Sequence, residues 1–124
     1  MKIGELLSAI EVFAAPELQE EYDNAGLITG SRDWTCTGVL CTLDVTVDVL
    51  QEAIRQHCNL VVAHHPIVFK GMKRFNGKTY VEQVIIQAIK ADIAIYAAHT
   101  NMDNVLLGVN NTIAQKLGLK NPTI

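Results

Sequence analysis

The sequence predicts an α/β fold, a mainly parallel or mixed sheet flanked by helices in βαβ repeats, and three observations carry the prediction. Leu60-Val61-Val62-Ala63 and Ile93-Ala94-Ile95-Tyr96-Ala97-Ala98 are uninterrupted apolar runs of strand length, the pattern of strands covered on both faces. Each is preceded by a segment with apolar residues at helical spacing. Strand and helix signals therefore alternate at the interval of βαβ units.

Taken in order, Ile3, Leu6, Leu7, Ile10 and Phe13 fall on one face of a first, amphipathic helix. Pro16 and the acidic residues Glu17, Glu20 and Glu21 mark a loop, which leads to a short strand at Leu27-Ile28-Thr29. After the turn residues Gly30-Ser31-Arg32-Asp33, residues 38–43 read as a buried strand ending at Asp44. Thr46 is placed to cap the next helix, roughly 47–56, with Val49, Leu50 and Ala53 toward the sheet. The strand at Leu60 follows, then a basic loop over 70–78. Thr79 and Glu82 form a capping-box pattern, in which a threonine oxygen and a glutamate satisfy free N–H groups at a helix start. Val81, Val84, Ile85, Ala88 and Ile89 form the inner face of that helix, and the strand at Ile93 comes next. A last helix is expected over 105–117, interrupted by Gly108 and closed by Gly118.

A chain of 124 residues is expected to form one domain, 1–124, around one core. Hydrophobic residues make up 49% and charged residues 19%, with a mean hydropathy of +0.20. A doubly covered sheet accounts for this composition, and surface covered by other subunits or further polypeptide is a second source. The net charge of −3 implies no global attraction to nucleic acid or to an anionic membrane. Cys36, Cys41 and Cys58 lack C-x-x-C spacing, so free thiols in a reducing cytoplasm are expected rather than disulfides or a zinc ribbon. Glu5 and Glu11 interrupt the apolar N-terminal stretch and argue against a signal peptide. No apolar run is long enough to span a bilayer.

Both long apolar runs end in metal-ligand chemistry. The first stops at His64-His65-Pro66, the second at His99, with Asp103 four residues later. In open sheets of this class, ligands sit beyond the carboxyl ends of the strands. Pro66 holds His65 extended and lacks an N–H, so the strand ends there and the two imidazoles are free to splay toward one cavity. Two imidazoles and the Asp103 carboxylate make a nitrogen and oxygen set suited to catalytic zinc, iron or manganese. Asp103 is equally placed to cap a helix. His99 is read as a supporting group whose ring orients a ligand. Asp44 and Thr46 suit helix capping, with Asp44 also a candidate to support the site, and Asn24 with Gly26 suits a turn lining the pocket. His57 reads as a helix-end residue and Cys58 as a packed thiol.

Together, His64-His65-Pro66 with Phe69-Lys70-Gly71, His99-Thr100-Asn101-Met102-Asp103, Asp23-Asn24-Ala25-Gly26-Leu27 and Leu43-Asp44-Val45-Thr46 resemble the amino-terminal half of the NGG-interacting-factor-three-like dinuclear metal proteins, also called the type 2 GTP cyclohydrolase I family. The resemblance implies metal-ligand roles for His64, His65 and Asp103, with Asp23 and Asn24 in the surrounding pocket. Tyr22 stands where the family commonly has tryptophan. The family completes its two-metal site with a His-x-x-x-Glu element nearer the carboxyl end, and no His or Glu follows Asp103 here. The chain is therefore expected to be the amino-terminal part of a longer two-part metal-binding fold.

The resemblance further implies a homo-oligomeric ring, of which a hexamer is one form, and hydrolytic opening of the guanine imidazole ring of GTP with release of formate. Two divalent ions roughly 3.5–4 Å apart suit that chemistry, the nucleophile being a metal-bound water rather than a protein residue. Lys70, Lys73 and Arg74, just after the paired histidines, are candidates to hold a triphosphate, or else solvated loop charges. Two other readings fit the same residues: a two-metal phosphoesterase, and a metal-binding interaction protein without turnover.

Overall fold

The structure, a computed structural model, describes residues 1–120. Its centre is a four-stranded sheet of β1 (Gly26–Thr29), β2 (Val39–Thr42), β3 (Leu60–Ala63) and β4 (Ala94–Ala97), in the order β1-β4-β3-β2. β2, β3 and β4 are parallel, and β1 runs antiparallel against β4. The sheet is thus mixed and mostly parallel, as expected from the alternation of elements.

Two apolar layers, rather than one core, flank the sheet. Helices α2 (Val47–Arg55) and α3 (Tyr80–Lys90) cover one face. There Leu50, Ala53, Val84, Ile85 and Ala88 pack with Val61, Ala63 and Ile95. Helix α1 (Ile3–Phe13) covers the other, where Ile3 and Leu7 meet Leu60, Ala94 and Tyr96. Successive β4 side chains alternate between the layers, and Ala94 through Ala97 are fully buried. Double coverage is why β4 reads as a continuous apolar run.

Edge position explains one departure from expectation. β2 is not buried: Val39 and Cys41 are exposed, because β2 has β3 on one side only. Phe13 and Ile89, placed by periodicity on inner helix faces, are also exposed. Each lies in the last turn of its helix, beyond the reach of the sheet.

The helix ends follow local rules. The Thr46 and Thr79 hydroxyls accept from Val49 N and Glu82 N at 3.2 Å. Glu82 does not close the expected capping box; its carboxylate reaches further back, to Lys78 N at 2.9 Å and Asn76 N at 3.2 Å, and so ties down the basic loop. At the other end of α2, Cys58 N donates to Ala53 O and His57 N to Ile54 O. After α3, Ile93 N donates to Ala88 O and Asp92 N to Ile89 O. Both are Schellman turns, with His57 (φ 56°) and Asp92 (φ 51°) in the left-handed position that glycine usually takes.

The terminal helix does not begin at Val105; residues 105–108 are turn and bend, so Gly108 precedes the helix instead of interrupting it. A short α4 (Thr100–Asp103) is followed by α5 (Val109–Lys116), and Gly108 is the residue from which α5 starts. Its backbone lies so close to the preceding turn that a Cβ there would come within 2.1 Å of Met102 O. The loop read at 16–21 contains a single 3-10 turn, Pro16–Leu18.

Candidate metal centre

The topology delivers residues from all four strands to one sheet edge. β2, β3 and β4 finish there, and antiparallel β1 begins there, with Gly26 opposite Ala97. Asp44, the paired histidines, His99 and Asp23 therefore converge although they are far apart in sequence. The ladder continues past the strand ends through His64 N to Thr42 O (3.2 Å), His65 N to Leu43 O (3.0 Å) and Ala98 N to Ala63 O (2.9 Å). The backbone carrying His64 and His65 is thereby tied into the hydrogen bonding of the sheet.

His64, His65 and His99 each offer one ring nitrogen, and the three nitrogens lie within 4.8 Å of one another. Their ring centroids are 4.9 to 5.5 Å apart. Each Nδ1 is already engaged. His64 Nδ1 is 3.0 Å from Ala98 O, His65 Nδ1 2.8 Å from Asp44 Oδ1, and His99 Nδ1 2.8 Å from Asp23 Oδ1. A carbonyl or carboxylate oxygen accepts, so Nδ1 is the donor in each case, and in the neutral ring the lone pair is on Nε2. This is the arrangement by which a protein presents histidine to a cation: the outer hydrogen bond fixes tautomer and ring angle and raises the basicity of the inner nitrogen. The donor set fits a divalent transition metal.

Asp103 joins the cluster from the end of α4. Its Oδ1 is 3.9 Å from His64 Nε2, too far for a hydrogen bond and close enough for one ion to touch both. As the last residue of α4 it caps no helix N-terminus. The cluster that could hold an ion is His64, His65 and His99, with His99 offering a ligand atom where a supporting role was expected, and Asp103 stands beside it, next to His64.

The carboxylate behind His99 is more deeply buried than the ring it holds, whereas the one behind His65 is more exposed than its ring. The Asp23 side chain is 0% exposed. It accepts from His99 Nδ1, from Thr100 N at 3.0 Å, from the Thr100 hydroxyl, and from Asn24 N at 2.6 Å. Burial alone would raise the Asp23 carboxyl. The hydrogen bonds from the Thr100 hydroxyl, the His99 ring and the two N–H groups outweigh it and hold the group below the usual carboxylate range. Asp44 faces solvent and pairs with His65 instead of capping α2. Asn24 donates to Val68 O at 2.6 Å, joining the segment before β1 to the one after the histidines.

Two residues emerge only from the fold. Buried Asn101 accepts from His99 N at 3.0 Å and donates to Ala14 O at 2.9 Å, fixing the turn from β4 into α4 against the end of α1. Thr100 ties that turn to Asp23 and, through its hydroxyl, to Glu20 N at 2.9 Å. A Thr-Asn pair directly after a strand-terminal histidine is the available sequence signal. The basic residues stand apart. Lys70 is exposed, and Lys73 and Arg74 line an open cleft with Thr79 and Glu82 into which none of the three histidines projects. Cys36, Cys41 and Cys58 are free thiols, and no helix among the described residues is long and apolar enough to cross a membrane.

Comparison with known proteins identifies relatives that share the fold over the whole chain. The chain is 38% identical over 124 residues to a GTP cyclohydrolase 1 type 2 homolog of Clostridium acetobutylicum, covering all of this chain and 46% of that protein. It is 39% identical to a homolog of the same description from Staphylococcus aureus, covering 34% of it. A solved Bacillus cereus protein related to NIF3 superposes with a TM-score of 0.93 at 39% identity, over 100% of this chain and 35% of that one. Reduced HcgD from Methanocaldococcus jannaschii superposes with a TM-score of 0.91 at 31% identity, over 99% and 49%. The chain spans less than half the length of these relatives. The sequence model of the family described as Duf34/NIF3 (NGG1p interacting factor 3) matches residues 1–124, and the chain belongs to that family.

Proposed function

We propose that this chain supplies one wall of a dinuclear-metal hydrolase centre acting on a nucleotide, with hydrolytic opening of the guanine imidazole ring of GTP and release of formate as its specific reaction. One observation carries the reading: three imidazoles converge, each offering one ring nitrogen within 4.8 Å of the other two, while every Nδ1 is within hydrogen-bond distance of an oxygen.

On this reading His64, His65 and Asp103 are ligands, and His99, whose Nε2 shares the same space, is a ligand as well as an orienting group. Divalent zinc, iron or manganese held there supplies a water of lowered pKa and a positive charge against developing negative charge. The chain's own residues do the positioning. Asp23 and Asp44 hold the His99 and His65 rings, Ala98 O holds His64, and Asn101 keeps the β4–α4 turn at the right distance. Asn24 holds the pocket wall by its bond to Val68 O. Lys70, Lys73 and Arg74 stand apart from the histidines, so a role for them is confined to the distal phosphates of an extended triphosphate. A second ion would need further ligands, for which the family resemblance implies a His-x-x-x-Glu element outside this stretch of sequence, in a protein assembled as a homo-oligomeric ring.

The test uses full-length, metal-analysed protein incubated with GTP, with formate measured directly. Formate release that falls by at least a hundredfold in His64→Ala and His65→Ala supports the reading. Turnover unchanged by both substitutions places the chemistry elsewhere. Stoichiometric metal without turnover of GTP leaves a metal-binding protein or a phosphoesterase, which p-nitrophenyl phosphate ester hydrolysis separates.

A further inference from the structure

The residues around the histidines include two large aromatic side chains that the core does not use. Tyr22 is 66% exposed and Phe69 46% exposed. They come from the two segments that also build the centre: Tyr22 directly precedes Asp23, and Phe69 lies four residues after His65. Their ring centroids are 6.4 Å apart at an interplanar angle of 51°, and Phe69 meets His99 edge-on at 6.3 Å and 83°. The Asn24 side chain, bonded to Val68 O, fixes one segment against the other. The result is an open aromatic corner continuous with the imidazole cluster.

Such a corner is expensive to leave facing water and matches one ligand chemistry well. A flat heterocycle offers a π-face to one ring and an edge to the other, and base-on-aromatic stacking is insensitive to which base is present. We propose that Tyr22 and Phe69 are the binding residues on which the purine-type ring of a nucleotide or nucleoside stacks as its reacting edge is presented to the three histidines. The proposal rests on the nucleotide-directed reading of the centre and adds the residues that recognise the base.

The experiment is calorimetric titration of the full-length, metal-loaded protein with guanosine, GTP and inorganic triphosphate. Tyr22→Leu and Phe69→Leu keep apolar bulk and remove a ring face. Each is expected to weaken guanosine and GTP binding about tenfold or more, with metal stoichiometry and triphosphate binding unchanged. Tyr22→Trp and Phe69→Tyr are expected to retain affinity. Guanosine and GTP affinities within twofold of the parent in both leucine variants overturn the proposal, as does failure of the parent to bind either purine ligand. A leucine variant that alters oligomeric state while leaving purine affinity intact also overturns it, showing that the corner packs on polypeptide. Purine binding that depends on both rings, without formate release, upholds the proposal and removes the cyclohydrolase reaction.

Discussion

The two ends of the sheet hold the same residue types in opposite roles. At the carboxyl ends of β3 and β4, histidines are ringed by oxygen acceptors and share a space. At the other end, His57 and Asp92 precede the same two strands, each in a left-handed turn position and exposed. One end spends its polar residues on ligand geometry, and the other on reversing the chain. Residue identity therefore says little until the direction of the strand is known.

Substituting across the two ends tests that contrast. The largest effect is expected from His64→Ala or His99→Ala, which should abolish stoichiometric metal binding by the full-length protein, while His57→Ala leaves it unchanged. Inductively coupled plasma mass spectrometry after dialysis reads both, and equal metal content in His57→Ala and His99→Ala would dissolve the distinction. Next comes Asp23→Asn. It removes a carboxylate that orients His99 and accepts from Thr100, and should lower metal affinity by roughly 10–100-fold. Asp92→Asn, at the opposite end, should leave affinity within error in a competition assay with a chromophoric chelator.

Tyr96 lies on β4 between the two ends and yields a pH signature. Burial and the Glu11 carboxylate, 3.4 Å from its hydroxyl, push the phenol from 10.0 up to about 12. The unfolded chain therefore releases this proton at lower pH than the folded one. The stability linked to Tyr96 is whole below pH 10 and is lost as pH rises toward 12. Denaturant titrations across that window should show a shallower decline in Tyr96→Phe, and parallel declines would refute the assignment. The smallest effect is a gain. His57→Gly should stabilise the fold by about 1 kcal/mol by relieving the left-handed conformation, and Asp92→Gly by less, because aspartate tolerates that region better. The hydrogen bond from the Thr37 hydroxyl to His57 O is retained in the first variant.

The features legible in the sequence were those whose cause is local or one-dimensional. β3 and β4 announce themselves because burial on both faces removes polar alternation, and the α2 and α3 caps because Thr46 and Thr79 act within three residues. The strand-terminal histidines were legible for the same reason. What stayed hidden depends on pairing across long separations. Asp23 reaches His99 only because β1 turns antiparallel onto β4, and strand order is not written in any periodicity. β2 reads as buried in the sequence because an edge strand and a central one share composition until their neighbours are known. α4 is too short for a helical period, and the side chains of Asn101 and Thr100 anchor it to distant segments.

The three acceptors behind the imidazoles also differ in how they can be altered. His65 and His99 lean on carboxylates, which a single codon change can remove. His64 leans on the main-chain carbonyl of Ala98, which every residue at that position possesses. Mutation can retune two of the rings through their partners. The orientation of the third is written into the strand itself, so no side-chain substitution at position 98 removes its acceptor, and His64 is the fixed point of the three.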